Sequence, residues 1–534
     1  MALLRATAIV GANTLLSRVL GFVRDVLMAR ALGTVGVAEA FVVALRFPNL
    51  FRRLVAEGAF AAAFVPVYAK KLERDGREAS LRFAGNTLAW LMAIIVALTV
   101  LAEIFMPAII SAIAPGFRDQ PALFDATVLF TRLTMPYLLC MTIVATLGGV
   151  LNANYKFAMA AATPALLNVV MILGLLFAVP WFKTAGHMLS WSVAIAGIVQ
   201  YLWLGYACWK AGLRIALPFP HVTAATKRLL KLMVPGLIGG GMTQINLVVG
   251  TIIASFIPGA VTILYYADRI YEFPLSMIGI AIGTALLPEL SRKLQSDPAA
   301  AVAVQNRAVE LSLFLAVPAT AALVAIAEPI CLVMFQYGKF TPADAANTAR
   351  ALAVFAAGLP AYVLIKVLAP GFYAREDTQT PVKYAVASMI VNTGLSILLV
   401  WPPFGLPGLG FVGIAIATSL AAWVNAVLLG IGLRRRGHWH TDRRLLSRAP
   451  RVILASALMA AALVPAALWL EPAFRGAVAG RIGALAALVV AGMALYAALA
   501  LLLRAESVGE LRQMLRRRGG KKAETPAPPP SDAP

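Results

Sequence analysis

Charge is what this sequence has least of. Asp, Glu, Lys and Arg make up 13% of its 534 residues, against about 25% in soluble globular proteins. A soluble chain of this length needs a polar surface that this composition does not supply. Acidic residues are the scarcer half, 24 against 46 Lys and Arg, for a net charge of +22. Cysteine is almost missing: Cys140, Cys208 and Cys331 lie far apart inside apolar runs, which excludes a disulfide framework and any Cys-based metal spacing. The four His form no ligand pattern. There is no phosphate-binding G-x-x-x-x-G-K-[ST] loop and no soluble segment to carry one, so ATP hydrolysis by this chain is not expected. No cleavage site follows the first apolar run, so that run is expected to persist as a helix.

What is abundant is apolar: 61% of residues are Ala, Val, Ile, Leu, Met, Phe, Trp, Tyr or Cys. Runs of 18 or more recur along the chain, the mark of an all-α polytopic membrane protein. Hydropathy and turn signals give about 14 spans. They fall near 5–31, 36–68, 84–114, 122–151, 158–180, 186–209, 228–257, 260–291, 306–336, 344–373, 382–402, 408–433, 450–470 and 481–503. The end, "RRRGGKKAETPAPPPSDAP", is charged and then Pro-rich, a composition that favours disorder.

The basic residues are unevenly placed. One set of alternate connections, with both termini, holds about 31 of the 46 Lys and Arg, and the opposite set about 5. Basic connections stay in the cytoplasm, so both termini are expected there. The surplus of cations then reports topology, and nucleic-acid binding is not expected.

The chain also repeats itself at an offset of about 223. "FVPVYAKKL" matches "LLPELSRKL", with Pro66 opposite Pro288; "TMPYLL" matches "GLPAYVL", with Pro136 opposite Pro360; "LLNVVMILG" matches "MIVNTGLSI", with Asn168 opposite Asn392. Six spans separate the copies, so both have one orientation, and a pseudo-two-fold axis along the membrane normal is expected. The organisation read from this is a six-helix lobe over 1–210, a cytoplasmic linker over 211–227 and a second six-helix lobe over 228–436. Two extra helices follow over 437–504, then a tail over 505–534. Pro48, Pro66, Pro235, Pro274, Pro288, Pro360 and Pro370, with the Gly run in "GLIGGGMTQ", suit kinked helices that rock between two states. Ordinary membrane-helix packing also uses such residues.

Charges inside these spans carry the functional signal. Each costs about 2.5–3.5 kcal/mol at mid-membrane, so Arg18, Arg24 and Asp25 together would cost roughly 8–10 kcal/mol facing lipid and are expected to face an interior. Arg18 and Asp25 are seven apart on one helical stripe with Arg24 beside it; Glu39, Arg46 and Arg53 share a second stripe flanked by Arg52, with Glu57 below. "ADRIYEFP" puts Arg269 and Glu272 on one face with Asp268 adjacent. Lys366 and Arg132 read as structural or interfacial. The interior set is rich in Arg, whose planar fork binds phosphate or carboxylate through two parallel bonds, so an anionic substrate carrying phosphate is expected. The same residues would also be satisfied by pairing with one another. "VILASALMAAALVPAALWL" and "IGALAALVVAGMALYAALALLL" hold no charge and many small residues, which suits either a shallow groove for a lipid tail or plain packing.

"SRVLGFVRDVLMARALG", "RFPNLFRRLVAEGAFAAAFVPVYAKK" and "YYADRIYEFPLSMIGIAIGTALLPELSR" resemble the signature segments of the MurJ/MviN lipid II flippase family, and the similarity runs from about residue 5 to 504. The resemblance implies the fold of the multidrug/oligosaccharidyl-lipid/polysaccharide exporter superfamily, with two six-helix lobes in a V and two added helices. It implies alternating-access movement of the undecaprenyl-pyrophosphate-linked peptidoglycan precursor from the cytoplasmic to the periplasmic leaflet. The family's cavity arginines fall on Arg18, Arg24, Arg52 and Arg269, and its acids on Asp25 and Glu272. Glu39 stands where members often have Asp, which keeps the charge and changes the reach. No cofactor is implied; a membrane potential or an ion gradient is left as the energy source. The partners implied are the lipid-linked precursor and membrane lipids, with cell-wall synthesis or division proteins left open. Two other readings stay open: an exporter of the same fold for another lipid-linked glycan or a drug, and a membrane enzyme acting on polyprenyl phosphates.

Overall fold

The structure is a computed structural model and describes residues 2–53, 60–403 and 407–505. The described residues are helical almost throughout. The helices are α1 Ala2–Leu32, α2 Val37–Phe51, α3 Phe60–Ile113, α4 Pro121–Thr134, α5 Tyr137–Ala153, α6 Phe157–Leu173 and α7 Ala185–Lys210; then α8 Ala224–Ala254, α9 Ala260–Ser296, α10 Pro298–Ala325, α11 Ala327–Phe335, α12 Pro342–Tyr373, α13 Gln379–Val400 and α14 Gly410–Arg435; and last α15 Arg443–Trp469, α16 Glu471–Arg475 and α17 Val478–Leu502. Among the described residues, ten helical segments are long and apolar enough to cross a membrane by length and composition. At 1.5 Å rise per residue, the more polar α1 and α9, with 31 and 37 residues, are also long enough to span about 30 Å of hydrocarbon.

Helices and expected spans correspond with local differences that have physical causes. The second span falls on α2 and the start of α3, on either side of residues 54–59. Within α3 the chain turns between the second and third spans at Gly76, where φ is +82°, a conformation open to glycine without steric cost. The fourth span is α4 and α5, broken at Pro136. The ninth starts earlier than read, at Pro298 with Asp297 as its N-cap, and breaks at Ile326 between α10 and α11. The Gly run lies within α8. Glu57 and the tail beyond Ala505 lie outside the described residues.

The repeat is visible in the packing. α1 packs on α6 as α8 packs on α13; α2 packs on α4 as α9 packs on α12; α3 packs on α5 as α10 packs on α12. The result is two six-span lobes of one orientation. The added helices attach to the second lobe: α15 lies along α10, and α17 touches α15 and α11. Phe314, Ile326 and Val333 form a small core with Met459, Leu463, Leu488 and Tyr496. The outward residues of this pair, among them Leu468, Val490 and Met493, are exposed, as suits contact with lipid. Trp181 and Trp469 are each 81% exposed at span ends, where indole rings prefer the membrane–water boundary.

Candidate substrate cavity

α1 places Arg18, Gly21, Arg24 and Asp25 on one face. With Arg52 and Arg53 at the end of α2, and with Arg269, Glu272 and Phe273 of α9, that face lines a cavity of about 620 Å³. α3, α5, α6 and α7 contribute the remaining wall, including Val65, Asn152, Asn168 and Gln200. The first lobe thus supplies nearly all of the wall, and α9 is the second lobe's contribution. The cavity lies toward the helix ends that bear the basic connections.

Arg24 and Asp25 are 9% and 2% exposed. Asp25 Oδ1 accepts from Arg24 Nε at 3.0 Å and Nη2 at 2.7 Å, and from the Tyr265 hydroxyl at 3.1 Å. Arg24 Nη1 donates to Asn168 Oδ1 at 2.9 Å. Arg269 pairs with Glu272 at 3.0 Å and lies 3.7 Å from Asp268, while its Nε finds no acceptor. Arg18 donates to the Ser276 hydroxyl of the other lobe, and Arg52 Nε to Asn49 Oδ1 at 2.9 Å. Guanidinium groups therefore line one space, part-neutralised by carboxylates. Clustered guanidinium groups of this kind can bind an oxyanion of high charge.

Of the residues singled out from the sequence, Arg18, Arg24, Asp25, Arg52, Arg269 and Glu272 are brought together here. Glu39 is not: it lies at the opposite, charge-poor end, 2% exposed, where its Oε1 accepts the Gly259 N–H at 2.9 Å. Arg46 sits between the two, donating to Thr251 Oγ1 at 2.9 Å. The stripe Glu39–Arg46–Arg53 is real, but over 14 residues it climbs roughly 21 Å and so leaves the cavity. Arg132 donates to the Glu103 carbonyl at 3.1 Å and faces the surface. Lys366 lies against Gly279 of α9, where an added Cβ would come within 2.7 Å of its Nζ. Asn168 and Tyr265 were not legible as site residues. The first stood out only as a repeat marker, and the second is an uncharged residue in an apolar stretch.

At the charge-poor end the lobes touch. Lys339 N–H donates to the Arg30 carbonyl at 2.9 Å, Thr34 donates to Asp344, and Gly116 N–H donates to Ser255 Oγ at 3.1 Å. With the Glu39–Gly259 bond these close one end of the interlobe space, while the cavity occupies the other half.

A family model described as lipid II flippase MurJ matches residues 28–476. The chain belongs to the MurJ lipid II flippase family. Among curated relatives, a probable lipid II flippase MurJ of Rhizobium meliloti (strain 1021) is 44% identical over 97% of both chains. One of Vibrio cholerae is 36% identical over 94% of this chain and 96% of its own. A solved lipid II flippase MurJ in an inward closed conformation has a TM-score of 0.77 at 23% identity, covering 95% of this chain and 99% of that one. An inward-facing multidrug-resistance MATE-family transporter has a TM-score of 0.65 at 14% identity over 78% of this chain and 94% of its own. At these identities the structural likenesses speak to the fold.

Proposed function

We propose that this chain is a lipid II flippase that moves the lipid-linked peptidoglycan precursor from the cytoplasmic to the periplasmic leaflet by alternating access. The observation that carries this reading is the convergence of Arg18, Arg24, Arg52 and Arg269 on one interlobe cavity. A pyrophosphate is the part of the precursor that such a cluster recognises. The uneven basic connections support a cytoplasmic side for the cavity and for both termini, with the closed end at Glu39 toward the periplasm. Arg24, Arg52 and Arg269 ligate the diphosphate; Asp25 and Glu272 hold the arginines in place and compete for them, which lets the substrate leave. The chain is a transporter, and no covalent step is required.

A membrane potential negative inside favours outward movement of negative charge by about 2.3 kcal/mol per charge per 100 mV, enough to drive export or the return of the empty carrier. The polyprenyl tail stays in lipid, with the α15–α17 pair as its flank on the second lobe. In cells depleted of this protein, the precursor should accumulate in the inner leaflet while its synthesis continues. Normal leaflet distribution during depletion would contradict the reading.

A further inference from the structure

Tyr265 carries no charge, yet one side chain touches the charged residues of both lobes. It lies on α9, 4% exposed, behind the cavity wall. Its hydroxyl crosses the interlobe space to donate to Asp25 Oδ1 at 3.1 Å, and accepts a longer bond from Arg24 Nη2 at 3.4 Å. Its ring lies under the guanidinium of Arg269, with Cζ 5.0 Å from the centroid, and that of Arg46 at 6.0 Å.

Asp25 Oδ1 is the atom that holds Arg24 through Nε and Nη2. A diphosphate that takes Arg24 must draw it off this carboxylate. Asp25 is 2% exposed, and a buried carboxylate stripped of donors carries a large desolvation penalty. That penalty would tie Arg24 to Asp25 and oppose binding. The Tyr265 hydroxyl is a donor the diphosphate does not compete for, because it comes from behind the wall. We propose that Tyr265 is a positioning residue for substrate binding: its O–H keeps Asp25 partnered while Arg24 turns to the diphosphate. This rests on the reading that the cavity takes the pyrophosphate of lipid II.

Tyr265→Phe removes the O–H and keeps the ring under Arg269 and Arg46, with almost unchanged volume. Binding of lipid II to the detergent-purified full-length chain, followed by native mass spectrometry, should weaken about tenfold, which corresponds to ~1.4 kcal/mol. In an Asp25→Asn background Arg24 is no longer held by a carboxylate, so Tyr265→Phe should cost far less, only the longer Arg24–Tyr265 bond being lost; a residue acting only on the fold would cost the same in both backgrounds. Wild-type affinity in Tyr265→Phe, or equal losses in the two backgrounds, would overturn the proposal. Arg24→Ala in the same assay separates the two levels. If it leaves lipid II binding unchanged, the reading of the cavity fails. If it weakens binding while Tyr265→Phe does not, the role given to Tyr265 alone fails.

Discussion

Asn168 accepts an N–H of Arg24 at 2.9 Å and donates its own amide to the Ser17 carbonyl at 2.9 Å. One repeat later Asn392 donates to Asn246 Oδ1 at 2.8 Å. The same helix pairing, α1 on α6 and α8 on α13, thus ends in a cation aimed at the cavity in one lobe and in a neutral amide pair in the other. A duplicated scaffold has been given a charged face on one side only, and the cavity wall follows that asymmetry.

Asn168 therefore fixes the direction of Arg24. Gly21 sits opposite it, where an added Cβ would lie 3.4 Å from its Nδ2. Asn168→Ala removes a hydrogen bond to a charged group, in the range of about 1.5–3 kcal/mol, and should lower lipid II affinity roughly tenfold or more. Asn168→Asp should also weaken binding, for the opposite reason: a second carboxylate holds Arg24 against the substrate. Titration of lipid II against both purified variants checks this, and unchanged affinity in either would contradict it.

Glu39 is expected to act at the far end of the molecule. Its carboxylate accepts the N–H of Gly259, whose φ is +77°. Glu39→Ala leaves that buried donor without its partner, at about 1–3 kcal/mol, and should move the population toward an open charge-poor end. Glu39→Gln keeps an acceptor and should move it less. Gly116→Ala should open the same end by contact, since the new Cβ would lie 2.4 Å from the Ser255 carbonyl oxygen. Spin labels at Val35 and Phe256, which are 59% and 48% exposed on opposite lobes, report the separation by electron paramagnetic resonance. A distance distribution identical to wild type in both Glu39→Ala and Gly116→Ala would count against this closure.

The added helices are pinned by ions as well as by apolar packing. Glu310 of α10, with its side chain 6% exposed, meets Arg444 at 3.1 Å and Arg448 at 2.6 Å from α15, and it also pairs with Arg307. Arg307 in turn reaches Asp442, the N-cap of α15, at 3.1 Å. Removing Glu310 takes a buried carboxylate from arginines that are 17% to 42% exposed, which costs about 1–3 kcal/mol. Glu310→Ala should lower the thermal midpoint of the purified protein and speed proteolysis near residues 437–442. Its lipid II affinity should stay near wild type, because Glu310 does not line the cavity. An unchanged midpoint would show that apolar contacts alone hold the pair.

Much of this was legible beforehand because the bilayer constrains sequence strongly. Apolar runs marked the spans, and the cost of intramembrane charge pointed to Arg18, Arg24, Asp25, Arg52, Arg269 and Glu272. Glu39 was grouped with them because helical phase tells which face a residue is on and not how far along the axis it lies. Tyr265 and Asn168 escaped because their importance depends on contacts across 240 and 144 residues of chain, which no local pattern encodes. The early start of α10 was hidden for a simpler reason: Asp297–Pro298 is a helix-start signal set in a polar stretch before the apolar run begins.

The central claim is tested most directly by flipping itself. Proteoliposomes holding lipid II and the purified chain can be probed with an enzyme that modifies only the outer leaflet, with Arg24→Ala/Arg269→Ala compared to wild type at matched thermal stability. The expected result is that the wild type renders inner-leaflet lipid II accessible and the double variant does not. Equal rates from the two proteins would contradict a mechanism built on these guanidinium groups.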